Sequence, residues 1–191
     1  MDIQTLLQQN RSYRRFDPSV SISKEELMKL VELTRYAASA ANQQSLRYIL
    51  VADEERNNKI FPLTAWAGYL KNWPGPAEGE RPVAYIIMCK ETASANTHIL
   101  FDAGIAAQNI LLGAVEKGLG GCIIGAFNKP KLRVLLDLPD RYEILYVIAL
   151  GKPAEEVVIE ELADNNIKYW RDEHSVHHVP KRKLNDLILE I

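Results

Sequence analysis

Apolar positions recur along the chain in two rhythms, one of three to four residues and one of continuous short runs. Ile3, Leu6 and Leu7 share one face of a short helix over residues 2–10. A polar, basic stretch follows, Asn10-Arg11-Ser12-Tyr13-Arg14-Arg15-Phe16. Ser23 and Glu26 then stand at capping-box spacing, where each side chain can bond the other residue's backbone N–H. Leu27, Leu30, Val31 and Thr34 continue at helical intervals, so the spacing predicts a helix over about 24–37. It gives way to Ala38-Ser39-Ala40-Ala41-Asn42-Gln43-Gln44, small residues and carboxamides that favour a loop.

The β-branched and aromatic run Arg47–Ala52 predicts a strand. Val83–Cys89 is apolar almost throughout, as a strand covered on both faces would be. The longest helical pattern covers 97–118, with Ile99, Ala103, Ala106, Ala107, Ile110, Leu111 and Ala114 inward and Gly118 placed to end it. Gly120–Gly125 reads as a glycine-bracketed strand, 129–136 as a short helix, and Ile144–Leu150 as a third apolar strand. Residues 61–80, rich in Trp, Pro and Gly, read as a mobile flap. Past Gly151-Lys152-Pro153 the chain turns acidic, then basic at Lys181-Arg182-Lys183, and closes on an amphipathic Leu184–Ile191. Helices alternating with short strands predict an α/β or α+β domain with an α/β/α three-layer arrangement. A single domain over 1–191 is expected, with the flap at about 61–80 and a C-terminal extension at about 152–191.

Composition narrows the partners. Of 191 residues, 47% are hydrophobic and 25% charged, which excludes intrinsic disorder as the main description. A net charge of −2 provides no general field for nucleic acid or anionic membrane, so neither is expected as a partner and any anion site must be local. Cys89 and Cys122 belong to no C-x-x-C pair, which argues against a disulfide framework and a structural zinc. With no basic-then-apolar leader and no apolar run of about 20 residues, the expected compartment is the cytoplasm.

Candidate chemistry concentrates in a few segments. Arg11 and Arg14 offer forked donors that match phosphate oxygens, and Ser12 adds a hydroxyl and a backbone N–H. Asn42 and Gln44 can donate and accept hydrogen bonds at once, and Ser39 likewise. Cys122 reads as a small core residue rather than a nucleophile. His174, His177 and His178 lack acidic or sulfur partners at metal-binding spacing and read as surface histidines, so no metal is expected. No catalytic triad is visible.

Three of these segments, in order, resemble the FMN-dependent nitroreductase family: Arg11-Ser12-Tyr13-Arg14-Arg15-Phe16 is similar to its R-S-x-R-x-F, and Ala38–Gln44 to its P-S-A-x-N-x-Q loop. The third is the helix from Asp102 to Gly118 that leads into Leu119–Phe127. The resemblance implies a nitroreductase-like fold, a central mostly antiparallel sheet flanked by helices, and a homodimer with FMN at the interface. It implies that Arg11, Ser12 and Arg14 hold the FMN phosphate, ribityl chain and N1–O2 edge. Ser39, Ala41, Asn42 and Gln44 would read the pyrimidine edge of a flavin held mainly by the other subunit. The backbone of Ile123, Ile124 and Gly125 would face flavin N5, and Lys181 and Arg182 would close over the phosphate. Trp66, Tyr69 and Trp73 would form a substrate cover on the flap.

The implied activity is two-step hydride exchange from NAD(P)H to a small flat electron-poor acceptor, a nitroaromatic or quinone. No catalytic side chain is expected, because the cofactor carries the chemistry. A dehalogenase or flavin-destroying enzyme on the same cradle, and a flavin-binding module without turnover, are the alternatives. The chain departs from the family pattern at Asn10, where many members carry Arg. It departs again at Ala38 and Ser45 in place of prolines, and at Leu46 in place of a frequent Trp.

Overall fold

The computed structural model of the chain describes residues 1–190. In chain order its elements are α1 (Ile3–Gln9), β1 (Phe16–Asp17), α2 (Lys24–Glu32), β2 (Leu46–Val51), α3 (Glu54–Ile60), β3 (Ala84–Glu91) and α4 (Ile99–Glu116). They continue with β4 (Gly120–Ile124), α5 (Lys129–Leu135), β5 (Tyr142–Pro153), β6 (Val157–Glu161), β7 (Trp170–Arg171) and β8 (His177–Lys181).

Local chemistry explains most boundaries. The Ser23–Glu26 capping box forms as expected and starts α2, which tightens into a 3-10 turn over Leu33–Tyr36 instead of staying α-helical to residue 37. Gly118, at φ 71°, ends α4, and the Leu119 N–H returns to the Ala114 carbonyl in a Schellman closure. The short helix α3, absent from the sequence reading, is started by Asp53, whose carboxylate accepts the Arg56 N–H.

The central sheet is antiparallel throughout. Its path runs β2–β3–β5, and the far edge of β5 carries β4 along Val147–Gly151 and β1 at Lys152–Pro153. Period-two alternation divides β3 between two cores. Ala84, Ile86 and Met88 face α2 and α4, joining Leu27, Leu30, Ala103, Ala107 and Ile110. Tyr85, Ile87 and Cys89 face the opposite layer with Ile60, Trp66, Cys122 and Leu132. Both faces of the sheet are thus covered, which confirms the three-layer expectation. Helix α4 has the length and apolar composition to cross a bilayer, but its inward face is the centre of the first core.

Two glycines of β4 are explained by close packing. A Cβ on Gly121 would collide with the Ala149 carbonyl oxygen, and one on Gly120 would stand 2.5 Å from the Tyr13 ring. Beyond β5 the extension builds a second, three-stranded sheet of order β6–β8–β7, in which β6 and β8 run parallel. The sequence reading had no strands there. The closing Leu184–Leu187 segment is a 3-10 turn with Leu184 and Leu187 exposed, and Ile191 lies outside the described residues.

Candidate flavin cradle

The first and third motifs meet. Ser12 bridges Gly121 in parallel, and the Tyr13 N–H donates to the Gly121 carbonyl at 3.1 Å, on the edge of β4 that faces away from β5. Since Gly121 turns its backbone groups outward, alternation turns those of Ile123 and Gly125 to the same edge. Among the described residues no strand pairs β4 there. Ile123 and Gly125 are exposed while Ile124 is buried in the second core, and the space beside the Gly125 Cα is open to within 3.8 Å. Arg11, Ser12 and Arg14 therefore flank a strand edge with free backbone donors. The Arg11 guanidinium donates to the Leu7 carbonyl at 2.8 Å, and its buried Nε–H finds no acceptor.

Arg14 is engaged by the extension. Its Nη1 donates to the Ser12 carbonyl at 3.1 Å and to Nε2 of His177 at 3.2 Å, and its guanidinium lies 5.1 Å from the Tyr169 ring centre. Beneath it, the fully buried Glu155 carboxylate accepts the N–H groups of Arg14 and Arg15, and its other oxygen accepts from Arg171 at 2.6 Å. Truncating either partner of so deeply buried a pair would strand the other charge, at a cost of about 3–5 kcal/mol.

His177 departs from the surface placement expected for it. It is buried, and burial together with the Arg14 and Arg171 cations drives its pKa down to about 4, so it is neutral. His178 is the opposite case: hydrogen bonds to Glu160 at 2.8 Å and Asp172 at 3.2 Å raise its pKa. Among the described residues no three His, Cys, Asp or Glu side chains gather as a metal site.

Lys181 and Arg182 make no hydrogen bond or ion pair with the groups around Arg11 and Arg14 among the described residues. Strand β8 meets Arg14 through His177, and Lys181 stands four residues on, about 13 Å away at ~3.3 Å per residue. Arg182 donates to the Asn165 side chain at 3.2 Å. In a single chain, then, Glu155, Tyr169, Arg171 and His177 surround Arg14, and none of them was singled out from sequence as a neighbour of the first motif. A basic tripeptide is visible in a sequence, whereas a buried carboxylate in an acidic run is not.

The second motif sits at the other end of α4. Ala41, Asn42 and Gln44 all hold left-handed backbone, with φ of 48°, 54° and 48°. That conformation costs about 1–2 kcal/mol for residues such as Ala and Gln, and less for Asn, whose short polar side chain tolerates it. Asp102, buried in the first turn of α4, holds the loop. Its carboxylate accepts from the Ser39 hydroxyl at 2.8 Å, the Ala40 N–H at 2.9 Å and the Asn96 amide at 2.9 Å. Burial opposes its charge, but the hydrogen bonds of Ala40, Ser39 and Asn96 prevail and keep its pKa below the usual carboxylate value. Ser39 Oγ in turn accepts the Gln44 N–H at 3.0 Å, and Gln44 Nε2 donates to Asn42 Oδ1 at 3.1 Å. That pairing leaves Asn42 Nδ2 as a donor and Gln44 Oε1 as an acceptor, both exposed. Asn42 and Gln44 also line a groove of about 830 Å³ between α2 and β2.

The flap aromatics separate. Trp66 belongs to the second core, with its ring centre 5.9 Å from that of Phe61, so it is a core residue. Trp73 is half-buried beneath the Arg171 guanidinium at 4.2 Å, and Tyr69 is exposed beside Tyr169. The buried thiols of Cys89 and Cys122 are pushed up by desolvation to about 11 and about 12, values that leave them unreactive.

An antiparallel sheet between two helical layers, with a basic turn on one sheet edge and a carboxamide loop across α4, defines the nitroreductase-like class of α+β fold. The profile described as the nitroreductase family matches residues 7–152, and the chain belongs to that family. It is 28% identical over 167 residues to the NADPH-flavin oxidoreductase of Vibrio harveyi, covering 79% of this chain and 65% of that protein. It is 25% identical over 183 residues to the oxygen-insensitive NADPH nitroreductase of Helicobacter acinonychis, covering 79% and 87%. Among solved structures it is similar to an FMN-dependent nitroreductase from Clostridium difficile R20291, with TM-score 0.63, 26% identity, and 81% and 89% of the two chains covered.

Proposed function

We propose that the protein is an FMN-dependent oxidoreductase that takes hydride from NAD(P)H and reduces small, flat, electron-poor acceptors such as nitroaromatics or quinones. The observation that carries this reading is the juxtaposition of Ser12 with Gly121. It lays two arginines and a hydroxyl along the same strand edge that offers the outward backbone N–H groups of Ile123 and Gly125.

The residues present fit FMN by their chemistry. Arg11 and Arg14 supply forked donors for the phosphate and the N1–O2 edge, and the unpaired Arg11 Nε–H is a donor still seeking an acceptor. Asn42 Nδ2 and Gln44 Oε1 complement a carbonyl and the adjacent N3–H of a pyrimidine edge. FMN, when bound, supplies the hydride acceptance and delivery. The chain holds the ring, places backbone donors along one edge, and keeps positive charge where the reduced form is anionic.

The Asn42–Gln44 loop and the Arg11–Arg14 turn lie at opposite ends of α4, an 18-residue helix about 27 Å long at ~1.5 Å per residue. The proposed reading asks both to meet one ring. A homodimer, in which the loop of one subunit reads the flavin held by the other, satisfies both.

Two measurements test the proposal. The purified protein should show flavin bands at about 375 and 450 nm, and should oxidise NADH or NADPH in steady state when a nitroaromatic or quinone is supplied. Flavin bands without turnover would favour the binding-module reading. The absence of flavin affinity would refute the proposal.

A further inference from the structure

Asp102 has no part in the flavin contacts proposed above, yet it holds Ser39 and Ala40, the residues that lead into the left-handed turn of the second motif. The loop holds Ala41, Asn42 and Gln44 in left-handed backbone, a conformation that persists only where the surroundings enforce it. Backbone bonds from Asn42 to Ser39 and from Gln43 to Ala40, and the Arg47 guanidinium on the Gln44 carbonyl, supply part of the enforcement, and helix α4 adds to it from one side chain. One carboxylate oxygen of Asp102 takes the Ala40 N–H, and the other takes the Ser39 hydroxyl and the Asn96 amide. Ser39 Oγ passes the restraint to the Gln44 backbone, and Gln44 passes it to the Asn42 side chain.

The network has a direction. It begins at a buried anion with all its near donors satisfied and ends at two exposed groups, Asn42 Nδ2 and Gln44 Oε1. Asn42 Oδ1 accepts the Gln44 amide, so the Asn42 amide nitrogen can only be offered outward. The Asn96 side chain donates to the same Asp102 oxygen as Ser39, and its own Oδ1 accepts the His98 N–H just before α4 begins. The carboxylate is therefore tied both to the helix start, through Asn96, and to the loop, through Ser39 and Ala40.

We infer that Asp102 is a positioning residue: through Ser39 and Ala40 it orients the Asn42–Gln44 carboxamide pair that reads the pyrimidine edge of the flavin. The inference rests on the proposed flavin reading of the loop. It assigns Asp102 no contact with cofactor or substrate and no proton transfer.

Asp102→Asn is close to isosteric, but its amide nitrogen must face donors where a carboxylate oxygen accepted. Two readouts test it. In the apoprotein, the Ala40 and Gln44 amides should exchange with solvent about tenfold faster or more in Asp102→Asn, while amides of β3 and β5 keep wild-type protection. In titrations, FMN and riboflavin should weaken by the same factor, about tenfold, because the network acts on the ring and not on the phosphate. The bands of bound flavin should shift as well, a change that a general loss of stability does not produce.

Should Asp102→Asn fail to fold, Ser39→Ala is expected to reproduce the exchange and titration effects, and Ser39→Thr, which keeps the hydroxyl, to restore them. A wild-type protein that binds flavin and an Asp102→Asn variant that binds it equally, with unshifted bands, overturns the inference alone. Loss of FMN affinity with riboflavin affinity retained overturns it as well. A wild-type protein that binds no flavin overturns the flavin reading, and the role of Asp102 falls with it.

Discussion

Nη1 of Arg14 donates to Nε2 of His177 across 3.2 Å, joining the basic turn near the N-terminus to the last strand of the C-terminal sheet. The bond requires a lone pair on the imidazole, so it exists only while His177 is neutral at that nitrogen. Its neighbour His178 has the reverse requirement. With Glu160 on one ring nitrogen and Asp172 on the other, both nitrogens must donate, which only the imidazolium can do. Consecutive residues of one strand thus carry opposite protonation demands, because period two turns His177 to the Arg14 side and His178 to the carboxylates.

The pair predicts two opposed pH dependences. An unfolded histidine protonates near pH 6.5, whereas folded His177 resists until about pH 4. Between those values the unfolded chain binds more protons, so the His177 contribution lowers stability as pH falls from 6.5 toward 4, by at most about 1.4 kcal/mol per pH unit. His178, with its raised value, contributes stability that is present below pH 6.5 and fades as pH rises through its folded pKa. Thermal unfolding from pH 4 to 8 should show His177→Gln flattening the acid loss and His178→Gln deepening it. Variants that both parallel wild type across that range would contradict the assignment.

The phosphate end of the cradle predicts a ligand-specific loss. Arg11 has a buried, unpaired Nε–H and no carboxylate partner in any ion pair among the described residues. A charge-assisted bond to phosphate is worth roughly 1.5–3 kcal/mol, so Arg11→Ala should weaken FMN by about tenfold or more and leave riboflavin nearly unchanged. Equal losses in paired titrations would show that Arg11 does not touch the phosphate.

The three layers and the existence of the main strands were legible because β3, β4 and the centre of β5 are apolar runs and α2 and α4 keep helical spacing. The matches at Ser23–Glu26 and Gly118 have the same origin, since a capping box and a C-terminal glycine are local chemistry. What escaped was non-local or weakly patterned. Helix α3 has seven residues and only Asn57 and Ile60 buried, too few to show a period. Strands β6 to β8 alternate poorly, and their parallel pairing joins residues 20 positions apart, as in Val157 with His177. The joining of Ser12 to Gly121 was not foreseen, and Asp102 and Glu155 were invisible as partners because their bonds cross 62 and 141 positions.

The proposed sharing of one flavin between two subunits predicts linkage between assembly and cofactor affinity. A ligand that binds only the dimer stabilises it, and the dimer in turn raises ligand affinity. Diluting the apoprotein through its dissociation range should reduce FMN affinity in step with the loss of dimer, followed by sedimentation and flavin fluorescence at matched concentrations. The exposed Leu100 and Phe101 on the first turn of α4 are apolar surface that such an assembly would cover. A monomer that binds FMN as tightly as the dimer would rule out the shared site.

The flap tryptophans predict a split between stability and substrate handling. Trp66 fills the second core and lies against Gly75, where a Cβ would stand 2.8 Å from its ring. Trp66→Ala should therefore cost about 3–5 kcal/mol. Its buried Nε1–H has no acceptor, so Trp66→Phe, which removes that orphan donor and keeps an aromatic ring, should cost much less. Trp73, half-buried under Arg171, should lose less stability on truncation than Trp66. If its ring also meets flat acceptors, Trp73→Ala changes the acceptor KM and the ranking of acceptors while FMN content stays near wild type. Thermal unfolding and acceptor kinetics on the three variants separate these roles. A Trp73→Ala variant with a melting-point drop as large as that of Trp66→Ala and an unaltered acceptor ranking would place Trp73 in the core and remove it from the substrate cover.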